Sequence, residues 1–194
     1  MGPWLALQRS GGGGRPLAVS AEHRPYPVLA RSADAKEGYC RLMSHEQRMA
    51  DAGIVLPEGY PPAGLYVGAV LVDNLLHVGG HGPVSAAGRI AGKVGADVDL
   101  EAAQEAARLT GLQMLRTVRE ELGSLDRVVR VVKLFGMVNA APGFNQTPAV
   151  INGCSQLMHD VFGEAGVHTR SAVGMAELPF DIPVEIEGIF QVQA

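Results

Sequence analysis

Between Val128 and Val138 the chain reads VVRVVKLFGMV, with apolar residues at both odd and even positions. Successive side chains of a strand point to opposite faces, so a strand of this kind needs cover on both sides. The remaining sequence offers only two long helices to provide it. The first opens at Asp99, an N-cap residue, and carries Ala103, Ala106, Ala107, Thr110, Met114, Leu115, Val118 and Leu122 at helical spacing before stopping at Gly123. The second spans about Pro148 to Phe162, with Pro148 suited to a first turn. A shorter, peripheral helix is predicted from His45 to Gly53 behind the capping-box pattern Ser44-x-x-Gln47. Strand signals fall at Leu65 to Val72 and Leu75 to Gly79, with Asp73-Asn74 as a two-residue hairpin turn, then at Arg89 to Val94, Arg170 to Ala176 and Val184 to Val192. The order is β-β-β-α-β-α-β-β, an α+β mixed sheet with two long helices on one face. The other face must then be buried by something outside the chain, most simply by copies of itself in a closed ring.

A chain of 194 residues, 47% of them hydrophobic, suffices for one domain with a sizeable core. Its net charge of -4 argues against nucleic acid as the main partner. No apolar run approaches the roughly 20 residues that span a bilayer, so no membrane partner is expected. Cys40 and Cys154 are too few for a disulfide framework and lack zinc-site spacing, and a reducing cytoplasmic location is expected. Residues 1–43 differ from the rest, with glycines at 11 to 14, prolines at 3, 16, 25 and 27 and no sustained apolar period. They read as a disordered N-terminal extension, or as sequence ahead of a true start at Met43, and residues 44–194 as the folded domain.

Chemistry-bearing residues concentrate late in the chain. Arg170 is a planar, permanently charged group able to grip a carboxylate with two parallel hydrogen bonds; the alternative is a structural ion pair with Glu185 or Glu187. Those two glutamates share one strand face, while Val184, Ile186 and Phe190 take the other. Glu185 or Glu187 could serve as a carboxylate base or be a solvated or interface residue. Gly79-Gly80-His81-Gly82-Pro83 reads as a turn offering backbone N–H groups at a strand end. Together these features suit a small 2-substituted acid. His81 could titrate near neutrality or be exposed, and Tyr66 could donate a hydrogen bond or pack. His77 and His81 lack a carboxylate to complete a ligand set, so no metal is expected. Cys154 reads as a core residue, and the loop Asn139 to Thr147 as a lid or a plain solvent loop.

One pattern is more specific. Arg170-Ser171-Ala172-Val173, then Leu178-Pro179, then Val184-Glu185-Ile186-Glu187 follow one another at short spacing, preceded by Tyr66 opening the first strand, Asn74 in the hairpin turn, Gly80 and Pro83 after the second strand, and Asn152 in the second long helix. From about Ser44 onward the chain resembles the RidA (YjgF) family of reactive-intermediate deaminases, also known as L-PSP endoribonucleases. The resemblance implies a chorismate-mutase-like subunit, a homotrimer with cavities at its subunit interfaces, and cofactor-free hydrolysis of 2-imino or 2-enamino acids to 2-oxo acids and ammonia. It implies that Arg170 binds the substrate carboxylate, that Glu185 positions the attacking water, and that Tyr66, Gly80, Asn152 and Ala172 line the pocket. The chain departs from the family pattern at Gly79, at His81-Gly82, at Ala172 and in the lead-in His168-Thr169. Those departures keep open an alternative, a non-catalytic trimer that binds 2-oxo acids and regulates a partner. RNA cleavage is the weakest reading, because acidic balance and few aromatics offer no strand-binding surface.

Overall fold

The computed structural model describes residues 43–59, 63–85 and 88–193. The expectation of a disordered extension therefore lies, apart from Met43, outside the described residues. Three α-helices, α1 (His45–Asp51), α2 (Leu100–Leu122) and α3 (Thr147–Phe162), accompany seven strands: β1 (Ala69–Val72), β2 (Leu75–His81), β3 (Val84–Ser85), β4 (Gly88–Arg89), β5 (Val128–Asn139), β6 (Thr169–Met175) and β7 (Val184–Val192). The main sheet has the order β1-β2-β7-β5-β6, in which β5 and β6 are parallel and every other neighbouring pair is antiparallel. The chain is thus a mixed α+β fold with α2 and α3 on one face of the sheet.

Local chemistry accounts for most element boundaries. Asp99 caps α2 by accepting from the Ala102 amide, and Gly123 closes it at φ 79°. Asp73 takes φ 52° in the β1–β2 turn, a conformation that aspartate tolerates. Ser44 caps α1 by accepting from the Gln47 amide, but the Gln47 side chain turns to Asp51, so only half of the predicted capping box forms. Nor is α1 peripheral. Met49 is buried, the His45 ring stands edge-on to Phe162 at 5.0 Å, and in the connection between α2 and β5 Asp126 accepts from the Glu46 amide while the Leu125 amide donates to the Glu46 carboxylate.

Two strand predictions need correction. The segment Arg89 to Val94 does not join the main sheet: β4 pairs only with β3, and Val94 forms isolated bridges to Val98 and Ala140. The first strand begins at Ala69 rather than Leu65, because its ladder with β2 ends where β2 departs from regular pairing, just past Ala69↔Val78. The loop after β5 is anchored at its start, where the Ala141 amide donates to Val94 O at 3.0 Å, and turns on itself where the Phe144 amide donates to Ala141 O at 3.0 Å.

The core lies between helices and sheet. Leu76, Val131, Leu134, Val138, Val184, Ile186 and Phe190 point from the sheet toward Met114, Leu115, Val118, Ile151 and Leu157, and nearly all are fully buried. Burying each such side chain stabilises the fold by about 1.5–3 kcal/mol. Small residues set the spacing. A Cβ added at Gly153 of α3 would lie 1.9 Å from the Gln104 carbonyl oxygen of α2, so the two helices touch backbone to backbone there. On the other face of β5, Phe135 and Met137 are half-buried and Val129 is exposed; Val173 is exposed on the neighbouring β6 and Val70 on the far edge strand β1. Among the described residues, the double-sided apolar strand therefore has cover on one side only. None of the described helices is long and apolar enough to cross a membrane.

Candidate functional site

The residues singled out by sequence form two groups, one on the edge strand β6 and one where β2 and β7 pair. The first sits on the edge strand β6. Arg170 lies on the helix-facing side, where its guanidinium meets one face of α3: Nη2 donates to Asn152 Oδ1 at 2.7 Å and to Pro148 O at 3.0 Å, and Nη1 donates to Ser155 Oγ at 2.9 Å. Positions 148, 152 and 155 are four and three residues apart, the spacing that stacks side chains along one helix face. All three acceptors are uncharged, and among the described residues no carboxylate forms an ion pair with Arg170. The alternative of a structural pair with Glu185 or Glu187 does not hold within the chain. Ala172, two residues further on, shares the side of Arg170, and its carbonyl accepts from Thr147 Oγ1 at 3.1 Å.

The second group gathers where β2 and β7 pair. Between Val78↔Gly188 and His81↔Ile186 the strand β2 advances three residues against two, a β-bulge. The glycine-rich segment expected as a turn is thus still strand as far as His81. One extra residue exchanges the two faces from that point on. His81 turns inward to α2, and Gly80 turns outward onto Glu185, so closely that an added Cβ would lie 2.0 Å from Glu185 Oε1. His81 is half-buried rather than exposed. Its Nδ1 sits 2.8 Å from Gly79 O and its Nε2 2.8 Å from Thr117 Oγ1, and burial, with a smaller contribution from Arg116, lowers its pKa.

Glu185 is half-buried beside Glu187 on the side of the sheet away from the helices. Burial first, and the neighbouring Glu187 charge second, raise its pKa above the usual carboxylate value. Tyr66 precedes β1 in an exposed bend, its hydroxyl 3.2 Å from the Ala63 amide, and does not open the strand as predicted. It shares with Gly80 a hollow of about 300 Å³ completed by His81, Gln113, Arg116 and Thr117.

Within one chain the two groups remain apart. Arg170 is level with Leu134, and Glu185 with Met137 three residues along, on strands flanking β5. At ~4.8 Å between strands and ~3.3 Å per residue their backbones are about 14 Å apart, and their side chains leave opposite faces of the sheet. Sequence reasoning missed Ser155, Thr117 and the roles of both histidines. His168, whose Nε2 lies 3.1 Å from Ser155 Oγ, was visible only as a departure from the family pattern, and nothing in the local sequence pairs the two. Cys154 is fully buried, and burial pushes its thiol up to about 12, so it is the inert core residue expected. Among the described residues no group of three His, Cys, Asp or Glu side chains is placed to hold a metal ion.

Comparison with known proteins is consistent with this arrangement. Residues 46–183 match the family described as "YjgF/chorismate mutase-like, putative endoribonuclease". The chain belongs to the YjgF family. It is 41% identical over 154 residues to Protein TCP17 of Trypanosoma cruzi, covering 78% of this chain and 94% of that one. The solved structure of Atu1372 from Agrobacterium tumefaciens, a protein of unknown function, is 40% identical and superposes with a TM-score of 0.70 over 78% of this chain and 93% of the other. A Shewanella oneidensis protein described in the same terms as the family, 26% identical, superposes with a TM-score of 0.74 over 77% of this chain and all of its own. The YjgF fold accounts for the chorismate-mutase-like layering of a sheet with helices on one face.

Proposed function

We propose that this YjgF-family chain hydrolyses reactive 2-imino or 2-enamino acids to 2-oxo acids and ammonia, without a cofactor, in a homotrimer whose sites form between subunits. The observation that carries the reading is the state of Arg170: a guanidinium fixed by three neutral acceptors, with no acidic partner among the described residues, at the open edge of a sheet. Such a group retains a full positive charge and unused N–H donors for a ligand carboxylate. Because Arg170 and Glu185 leave opposite faces, a single chain cannot bring both to one ligand. A second copy laid across the uncovered side of β5, β6 and β7 would bring its own Glu185 toward the first copy's edge, and would also cover Phe135, Met137 and Val173.

In this reading Arg170 holds the substrate carboxylate, with Asn152 orienting the guanidinium and the backbone at Ala172 lining the same side. Gly80 and Tyr66 line the facing side. Glu185 takes a proton from water as the oxygen attacks the iminium carbon, giving a neutral carbinolamine. The carboxylic acid so formed protonates the amine, ammonia departs as the C–N bond breaks, the carbinolamine hydroxyl gives its proton to Glu185 as the C=O bond forms, and ammonia carries that proton away as ammonium, restoring the carboxylate. A pKa raised above the usual carboxylate value by burial and by Glu187 favours the proton-accepting step. The same Arg170 cradle would also serve a non-catalytic trimer that binds 2-oxo acids, a reading favoured by the turning of His81 away from Glu185 toward Thr117.

One experiment addresses both. Imine loss is followed by trapping enzymatically generated 2-iminopropionate as its semicarbazone, and 2-oxobutanoate binding is followed by calorimetry, for wild type and Arg170→Ala. Accelerated imine loss abolished by the substitution supports the deaminase. Binding without turnover, also abolished by the substitution, supports the binder. Neither turnover nor binding in the wild type refutes both.

A further inference from the structure

The lead-in to Arg170 differs from the family pattern at His168, and the structure provides a use for the difference. His168 Nδ1 lies 2.6 Å from the carbonyl oxygen of Gly166. A carbonyl can only accept, so Nδ1 carries the proton and Nε2 is left as an acceptor. The atom 3.1 Å from Nε2 is Ser155 Oγ, which also receives Nη1 of Arg170 at 2.9 Å. A serine hydroxyl has one proton. With that proton given to His168, its lone pairs face the guanidinium. The carbonyl at the far end is itself fixed, because Gly166 packs so tightly that an added Cβ would lie 2.2 Å from Met158 O on α3. Four groups thus form one directed line: Arg170 to Ser155, Ser155 to His168, His168 to the Gly166 carbonyl. Burial and the nearby charges of His159 and Arg170 lower the pKa of His168, which agrees with its neutral place in that line.

Geometry alone gives Ser155 another choice. A helical serine can turn its hydroxyl proton back to the carbonyl four residues earlier, here Ile151, and then presents no fixed lone pair outward. His168 removes that freedom. We infer that His168, acting through Ser155, is a positioning residue that fixes the Arg170 guanidinium for a carboxylate ligand. The inference rests on the reading of Arg170 as the carboxylate anchor. The same device recurs at the other half-site, where the His81 ring joins the Gly79 carbonyl to Thr117 of α2.

The test uses the full chain with ¹⁵N-labelled arginine and histidine. In the wild type His168 should show the Nδ1–H tautomer, and the Arg170 side chain should show slowed rotation about its Cζ–Nη1 bond. Both Ser155→Ala and His168→Ala should release that rotation, while Ser155→Thr and His168→Gln, which keep a hydroxyl and an acceptor respectively, should retain it. In kinetics with a 2-imino acid, Ser155→Ala should raise KM about tenfold, the scale of one charge-assisted hydrogen bond, with kcat within about twofold. An Nε2–H tautomer for His168, or an Arg170 as restrained in Ser155→Ala as in the wild type, overturns the inference. Should His168→Ala fail to fold, the wild-type tautomer and His168→Gln decide the question: an Nε2–H tautomer, or an Arg170 released in His168→Gln, overturns the inference. Because the tautomer and the rotation are read without ligand, a wild type that neither binds 2-oxobutanoate nor turns over imines defeats the proposed function, while the spectra still decide whether His168 and Ser155 hold Arg170.

Discussion

Replacing Gly80 by alanine separates the position of the Glu185 carboxylate from its presence. The added Cβ would lie 2.0 Å from Glu185 Oε1, 2.9 Å from Cδ and 3.2 Å from Cγ, and no other atom is as close. All three belong to the mobile end of one half-buried side chain, and Gly80 is not among the residues of positive φ, so the backbone can stay where it is. The carboxylate must swing aside by more than about 1 Å to restore an ordinary contact. Holding Glu185 off its preferred rotamer costs about 0.5–1.5 kcal/mol. The loss of unfolded-state freedom on going from glycine to alanine returns about 0.4–1 kcal/mol. Net destabilisation should therefore stay below about 1 kcal/mol. Activity should respond far more, because a displacement of that size in a reacting group costs on the order of 100-fold, and loss of a general base about 10² to 10⁴-fold. The assay compares semicarbazone-trapped imine loss with urea unfolding for Gly80→Ala and wild type. Turnover within about threefold of wild type would show that the observed position of Glu185 is not the working one. A stability loss of several kcal/mol would show instead that the side chain cannot yield and that the bulge itself is disrupted.

Other expectations follow from single contacts. Gly153→Ala should lower stability by about 3 kcal/mol in urea unfolding, because its Cβ would meet the Gln104 backbone carbonyl at 1.9 Å and only movement of a whole helix relieves it. Glu185→Gln should stabilise the protein at pH 8 and have no such effect near pH 3: the fold raises the pKa of Glu185, so the wild type loses stability as pH rises through the folded value, and the neutral amide does not. Thermal melts at the two pH values test this. For His81 and His168 the sign is opposite. The fold lowers both pKa values from 6.5, so the wild type should lose stability as pH falls below about 6.5 toward the folded values, and His81→Gln should flatten that slope in melts between pH 7.5 and 5.

Local chemistry made much of the fold legible. Asp99 and Gly123 bound α2 because a cap and a left-handed residue act within one turn of chain, and the alternation Val184-Glu185-Ile186-Glu187 already divides β7 into a buried and an outward face. The run Val128 to Val138 likewise announced a strand needing cover on both sides, of which the described residues supply one. Pairing decided what the sequence could not. The segment Arg89 to Val94 has the composition of a strand but finds no place in the main sheet. The glycines at 79 and 80 look like a turn until β7 pairs past them and makes a bulge, and that one added residue sends Gly80 toward Glu185 and His81 toward Thr117.

For the site, the residue types and their short spacings were readable, and their grouping was not. Arg170 and Glu185 are fifteen positions apart in the chain and look like partners, yet alternation and strand order put them on opposite faces. Ser155 and His168 are thirteen apart with no pattern between them, yet the chain returning from the end of α3 along that helix to β6 makes them neighbours at 3.1 Å. Hydrogen-bonding capacity, charge and side-chain direction are properties of the residue and its immediate neighbours, and so are written in the sequence. Which donor meets which acceptor depends on distances between elements, set only when the core packs.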